Sequence, residues 1–322
     1  MKINAHAAKR AGAKLRPFVY EPEPLGPNDV EVAITHCGIC HSDVHLVDGE
    51  WGDHFPLVPG HEIVGTVTAG AGHPPGTRVG VGWQRSSCGR CEYCDAGEEE
   101  LCPESQATCM GHFGGFADRI RVDRRFAVPI PAALPSEAAA PLLCGGVTVY
   151  SPLVRHAGQG ARVGVIGIGG LGHLALQFAR ALGCEVWAFS RREDKEADAH
   201  RFGAHHFTTG APRRGSLDLV LNTAHAVPDL DAFMSALRPR GVYCQLGAAP
   251  EPLRVGAMHL IGGRRSVCGS AIGSPGAIRE MLALAAEKGI TAATEPSPMA
   301  AADAALDRTR HNRAQYRIVL VN

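Results

Sequence analysis

Four cysteines, Cys88, Cys91, Cys94 and Cys102, fall within fifteen positions, the first three at C-x-x-C spacing. Each such step lets two thiolates reach one ion, and four thiolates complete a closed tetrahedral Zn²⁺ site. With no coordination position left open, an ion held there is structural. Arg85 and Arg90 stand beside the cluster in sequence and are expected to offset its negative charge. A second set of donors is more dispersed. Cys37, Cys40, His41, Ser42, Asp43 and His45 share one stretch, His61 stands beside Glu62, and Cys144 follows much later. Singly, a cysteine or histidine is more often a packed core residue than a ligand. The Cys37–Cys40 spacing also suits a zinc knuckle, and spacing alone does not choose. The third signal is Gly167-Ile168-Gly169-Gly170-Leu171-Gly172, a G-x-G-x-x-G pattern. It follows an apolar strand-like run and precedes apolar residues at helical spacing, the context in which glycines let a backbone approach a pyrophosphate at a helix N-terminus.

Enzymes that prefer NAD place an acidic residue about 20 positions further on, where it holds the ribose hydroxyls. Here that place reads Ser190-Arg191-Arg192, with Lys195 behind it and no carboxylate before Glu193. A 2′-phosphate is nearly a dianion, and a hydroxyl with guanidinium groups suits it where a carboxylate would repel it. The expectation is therefore an NADP(H) preference.

Two kinds of element must position these groups. Up to about residue 144, short alternating segments such as Val30–Thr35, Ile63–Val67 and Arg78–Gly82 are punctuated by Pro59-Gly60 and Pro74-Pro75-Gly76, which predicts a barrel-like β domain. After Pro141 the character changes. Strand-like runs at Arg162–Ile166, Glu185–Phe189, Leu217–Leu221, Val242–Leu246 and Ser266–Gly269 alternate with helical stretches, the pattern of a doubly wound parallel sheet. A helix over Ala277–Lys288 and a last strand over Tyr316–Val321 follow. The predicted division is 1–144, 145–274 and 275–322, the last segment returning to the first domain.

Composition narrows the class. Lys plus Arg and Asp plus Glu both total 32, and this balance argues against a nucleic-acid binder. Hydrophobic residues at 45 % and charged residues at 20 % fit a packed globule. No apolar run approaches the roughly 20 residues that span a bilayer, and no secretory signal is visible, so the expected location is cytoplasmic. Eleven cysteines, an odd number in a large chain without an export signal, point to metal ligation rather than to a disulfide framework.

Five motifs occur in one order: Cys40-His41-Ser42-Asp43, Gly60-His61-Glu62, the four-cysteine lobe, Leu142–Tyr150 and the glycine loop. Over essentially its whole length the chain resembles the zinc-dependent medium-chain alcohol dehydrogenases, in their cinnamyl-alcohol-dehydrogenase-like branch. The resemblance implies a GroES-like β-barrel catalytic domain, with a Rossmann nucleotide-binding domain inserted. It implies two Zn²⁺ per subunit, one structural and one catalytic. By position, Cys40, His61 and Cys144 become the catalytic ligands, and Cys37 falls outside the set. Two thiolates nearly neutralise the ion, which leaves a fourth position for alcohol, aldehyde or water, acidifies the alcohol and polarises the carbonyl.

The same likeness makes Glu62 a carboxylate that tunes the metal and Asp43 an orienting residue. Ser42 and His45 become a proton relay. His41, Thr148, Ser270 and Ile272 fall near the cofactor, alongside Gly167, Gly169, Gly170, Leu171 and Gly172. Trp51 falls near the substrate. It also implies a homodimer or homotetramer acting on small alcohols and aldehydes. The chain departs from the pattern by shorter loops at 70–78, 102–114 and 209–215. Two other readings are a zinc-free quinone or enone reductase, which would not need the cysteine lobe, and a nucleotide- and zinc-binding sensor without turnover.

Overall fold

Apolar side chains on Asp29–Gly38 make it the strand around which the first unit is built. Val30, Val32, Ile34 and Cys37 are all buried. It pairs antiparallel with Glu62–Gly70 on one side, and on the other with Arg119–Asp123 and then Arg317–Val321. Arg78–Val81 and Val128–Pro129 extend the sheet one way, and Thr294–Pro298 ends it the other way. Ile63, Val67, Val79 and Ile120 join the same core. Each fully buried aliphatic side chain of this size contributes about 1.5–3 kcal/mol. The expected turn falls between Glu62–Gly70 and Arg78–Val81, where the Thr77 hydroxyl donates to the Pro74 carbonyl at 2.7 Å.

The computed structural model describes all residues, 1–322, and divides them into two units. One is Met1–Cys144 with Gly273–Asn322, and the other is Gly145–Ile272.

In the second unit six parallel strands lie in the order His206–Thr208, Glu185–Phe189, Arg162–Ile166, Leu217–Asn222, Leu237–Gln245 and Ser266–Gly269. In chain order this is 3-2-1-4-5-6, the doubly wound arrangement. It reverses beside Arg162–Ile166, the strand that leads into the glycine loop. The following helix, Gly172–Ala181, buries Leu174, Ala175 and Phe178.

Three differences from the sequence reading have local causes. Thr294–Pro298 is a strand despite Pro296 and Pro298, because it is the edge of its sheet, where a missing N–H costs least. Leu237–Gln245 begins five residues before the expected Val242, through the exposed Arg238-Pro239-Arg240, with a register shift against its neighbour. The helix expected from Ala277 starts at Pro275, since Pro fits the first helical position and the Ser274 hydroxyl accepts from the Ala277 N–H at 3.1 Å. No single helix is long and apolar enough to cross a membrane.

Candidate functional site

Asp43 organises the first constellation. Cys40 occupies the N-cap of helix His41–Val47, and its N–H donates to Asp43 Oδ2 at 2.9 Å. Asp43 Oδ1 accepts from the Gly60 N–H at 2.9 Å and from His61 Nδ1 at 3.0 Å. One fully buried carboxylate thus fixes the helix start, the Gly60 turn and the orientation of the His61 ring. Because a carboxylate only accepts, Nδ1 donates to Asp43, and Nε2 is the ring nitrogen left to face a metal ion. That Nε2 is buried without a hydrogen-bond partner. Cys144 closes the group, following the turn Ala140–Leu143. Ligand atoms of Cys40, His61, Glu62 and Cys144 all lie within 4.8 Å of one another. Cys37 is packed in the β core instead.

Glu62 is deeply held. Arg317 donates to its Oε1, both side chains being buried, while Oε2 is buried without a partner. A Cβ at Gly38 would come within 2.1 Å of that Oε2, so the carboxylate occupies space that only glycine leaves. Burial pushes the Glu62 carboxyl up to about 7, against the opposing charge of Arg317. A hydrogen bond from Cys144 holds the Cys40 thiol well below its ordinary range, and donating it, together with burial, pushes Cys144 well above. Burial works against a charge on His61, but Asp43 and Cys144 outweigh it and raise the ring. Two thiols, an imidazole nitrogen and a spare carboxylate oxygen, all buried, form a donor set that fits Zn²⁺.

Around this group, Ser42 Oγ lies 3.6 Å from the Cys40 sulfur. His45 is three residues further on the same helix, hence on the same face as Ser42, and its Nδ1 meets Glu50 at 2.5 Å. The His45 ring stacks on Trp51 and approaches His41. Trp51 packs edge-on against Trp83, and Trp83 packs edge-on against the His61 ring at 4.8 Å between centroids. The sequence reading missed Trp83 and Arg317. Trp83 had no motif around it, and Arg317 sits at the start of an otherwise apolar strand.

The four-cysteine lobe also converges, with sulfur atoms within 4.8 Å and Cys88 3.6 Å from Cys102. The charge expected from Arg85 and Arg90 comes from elsewhere. Arg90 pairs with Glu104 at the surface, and the charge of Arg85 faces Asp29. Arg125 is the cation that reaches Cys94, and it donates to the Ser87 carbonyl at 2.8 Å.

In the second unit the glycine loop turns directly into its helix. A Cβ at Gly172 would lie 1.9 Å from the Gly167 carbonyl, whereas one at Gly169 would meet nothing within 4 Å. The loop is thus tight where strand meets helix and unobstructed at its middle glycine. Gly170 and Leu171 complete the turn, and the Thr223 hydroxyl lies 2.8 and 3.0 Å from the Ile166 and Gly167 carbonyls. Past the second strand, Ser190 Oγ accepts from the Arg192 N–H at 3.1 Å, Arg191 is exposed, and Lys195 follows in a short helical turn. The Arg192 guanidinium is engaged by Asp194, a carboxylate that the sequence reading did not weigh, so Arg191 is the cation fully presented. Thr148 is buried in helix Gly145–His156. The Ser270 N–H donates to the Gln245 carbonyl, and Ile272 adopts a positive φ while its carbonyl accepts from Ser151 Oγ at 3.1 Å.

Comparison with known proteins agrees with both units. Residues 26–132 match the alcohol dehydrogenase GroES-like domain, and residues 170–287 match the zinc-binding dehydrogenase domain. The chain is 41 % identical to aldehyde reductase AdhA of Synechocystis sp., over 99 % of this chain and 98 % of that protein. It is also 41 % identical to a probable formaldehyde dehydrogenase, AdhA, of Bacillus subtilis, over 98 % and 96 %. Among solved structures, cinnamyl alcohol dehydrogenase SbCAD4 of Sorghum bicolor superposes with a TM-score of 0.94 at 36 % identity, covering 100 % of this chain and 98 % of that one. A cinnamyl alcohol dehydrogenase of Helicobacter pylori complexed with NADP(H) gives 0.93 at 31 %, with the same coverage. A GroES-like β barrel, a Rossmann sheet and these relatives together establish that the chain belongs to the zinc-dependent medium-chain alcohol dehydrogenase family, in the branch of aldehyde reductases and cinnamyl alcohol dehydrogenases.

Proposed function

We propose that this protein interconverts primary alcohols and aldehydes with NADP(H), using one zinc held by Cys40, His61 and Cys144 and a second, structural zinc held by Cys88, Cys91, Cys94 and Cys102. The observation that carries the reading is the buried convergence of two thiols on His61, whose Nδ1 is committed to Asp43 and whose Nε2 is left without a partner. When bound, zinc supplies a Lewis acid that acidifies an alcohol or polarises a carbonyl, and the nicotinamide supplies or accepts the hydride.

The chain's own residues do the rest. Asp43 holds His61 in its ligating tautomer. Glu62, tied to Arg317 by one oxygen, keeps the other among the ligand atoms and tunes the charge of the group. Ser42 holds the substrate proton at its Oγ, and His45 passes it toward Glu50, which is 57 % exposed to solvent. Trp51 and Trp83 place flat apolar surface beside His61, which suits an aromatic or allylic group on the aldehyde.

In the second unit the glycine loop and Leu171 receive the pyrophosphate. Thr148, Ser270 and Ile272 serve the nicotinamide. Ser190 and Arg191, with Arg192 and Lys195, favour the 2′-phosphate, and the NADP(H) complex of the Helicobacter pylori relative supports that preference. The segments 1–144 and 275–322 thus form the catalytic domain and 145–274 the nucleotide domain, in a cytoplasmic homodimer or homotetramer.

The test is NADPH oxidation with benzaldehyde- and cinnamaldehyde-type substrates, before and after treatment with a zinc chelator. Turnover that stops on chelation and returns with zinc is expected. Turnover insensitive to metal removal, or none with any aldehyde, would overturn the proposal.

A further inference from the structure

Two cysteines in the second unit take no part in the proposed chemistry. Cys244 and Cys268 lie directly opposite each other on the neighbouring parallel strands Leu237–Gln245 and Ser266–Gly269. Residues in register on adjacent strands project from the same face of the sheet. Neighbouring strands run about 4.8 Å apart, inside the roughly 4.4–6.8 Å span of Cα separations that a disulfide bridges. Both thiols are free, Cys244 buried and Cys268 partly exposed on the edge strand.

The surroundings separate the pair into two roles. His156, the last residue of helix Gly145–His156, places Nε2 3.7 Å from Cys268 Sγ. The charge of Arg155 reaches both sulfurs. A hydrogen bond from Cys244, helped by Arg155 against burial, draws the Cys268 thiol down to about 7. Cys244, the donor in that bond and buried, is pushed far above its ordinary range. One cysteine is a partly exposed thiol of lowered pKa with an imidazole beside it, and the other, opposite it in register, is a buried thiol held in its protonated form. Other cysteines outside the two ligand sets contrast with this. Cys37, Cys109 and Cys184 are buried and raised by burial, the state of an inert thiol.

We propose that Cys268 and Cys244 form a reversible oxidation site for hydroperoxides, Cys268 attacking and Cys244 resolving. The Cys268 sulfur forms a bond to one peroxide oxygen as the O–O bond breaks. The proton that His156 took from Cys268 goes to the departing oxygen, which leaves as water from hydrogen peroxide or as an alcohol from an alkyl hydroperoxide, and Cys268 becomes a sulfenic acid. The Cys244 sulfur then bonds to the Cys268 sulfur as the S–O bond breaks, and the sulfenic hydroxide leaves with the Cys244 proton as water. The thiol pair loses two electrons and the peroxide gains them, so one hydroperoxide is consumed per disulfide, and a dithiol reductant reverses the change.

Peptide mapping of the zinc-loaded, fully reduced chain tests this without reference to activity. After one equivalent of hydrogen peroxide and quenching with iodoacetamide, trypsin without reduction should release residues 241–254, carrying Cys244, cross-linked to residues 266–279, carrying Cys268. Dithiothreitol before alkylation should separate them. The variant C244S should stop at the sulfenic acid on Cys268, which dimedone traps. The variant C244A, which removes the hydrogen bond that draws Cys268 down, should slow alkylation of Cys268 at pH 7 by about tenfold. Two separately alkylated peptides after peroxide, or native Cys268 alkylating no faster than buried Cys184, would overturn the proposal.

Discussion

Replacing Asp43 by Asn changes little in shape and much in hydrogen bonding. The native carboxylate accepts from the Cys40 N–H at 2.9 Å, the Gly60 N–H at 2.9 Å and His61 Nδ1 at 3.0 Å. An amide has one acceptor oxygen. Turned toward Gly60 and His61, it points its NH₂ at the Cys40 N–H, donor against donor. Turned the other way, it strips His61 and Gly60 of their acceptor. Either orientation leaves at least one buried donor unmet, a cost of about 1–3 kcal/mol. For a unit of this size that corresponds to a fall in melting temperature of about 2–12 °C. Loss of the carboxylate partner of a ligating imidazole also weakens metal binding by about 10–100-fold. The assay is a competitive chelator titration of D43N with site-resolved zinc analysis, alongside a thermal melt of the same material. The four-cysteine site serves as the internal control, since it does not touch Asp43 and should keep its affinity. Unchanged zinc affinity at the Cys40–His61–Cys144 site together with an unchanged melting temperature would refute the reasoning.

Arg317→Met strands Glu62 as an unpaired buried carboxylate and should cost about 3–5 kcal/mol in denaturant unfolding, whereas the double variant with Glu62→Gln should recover most of it; equal stability of the single and double variants would contradict this. Arg191→Asp should lower kcat/KM for NADPH by about 10–100-fold, the worth of one charge-assisted hydrogen bond, while sparing NADH. An unchanged cofactor ratio would remove Arg191 from the specificity argument. Burial alone would raise the Glu31 carboxyl, but hydrogen bonds from Arg121 and Thr68 and the charges of Arg121 and Arg119 outweigh it and hold the group below its ordinary range. A depressed carboxyl contributes stability that is present above the ordinary carboxylate range and lost as pH falls through the folded value. Glu31→Gln should therefore be less stable at neutral pH and lose less on acidification, measured by urea unfolding at graded pH, and parallel pH curves for the two proteins would sink this assignment.

Much of this was legible because local chemistry announces itself. The C-x-x-C steps at Cys88–Cys94 and the G-x-G-x-x-G loop are short-range patterns, and the structure builds the cluster and the strand–turn–helix they imply. The alternation of strand-like and helical runs likewise exposed the parallel sheet. What the sequence hid depends on contacts between distant positions. Arg317 meets Glu62 across 255 residues, and nothing in the apolar run around it signals a buried cation. Trp83 acquires meaning only from its packing on His61. Arg125 replaces the two arginines adjacent to the cysteine lobe because folding, not sequence distance, sets which charge arrives. Asp194 captures Arg192 only once the turn after Glu185–Phe189 has formed.

The most direct measurement of the central claim is zinc content per chain in unchelated, folded wild type, in C144S and in C102S. The account predicts two ions in the wild type and one in each variant, with aldehyde reduction abolished in C144S. A single ion in the wild type, or two retained in C144S, would contradict it.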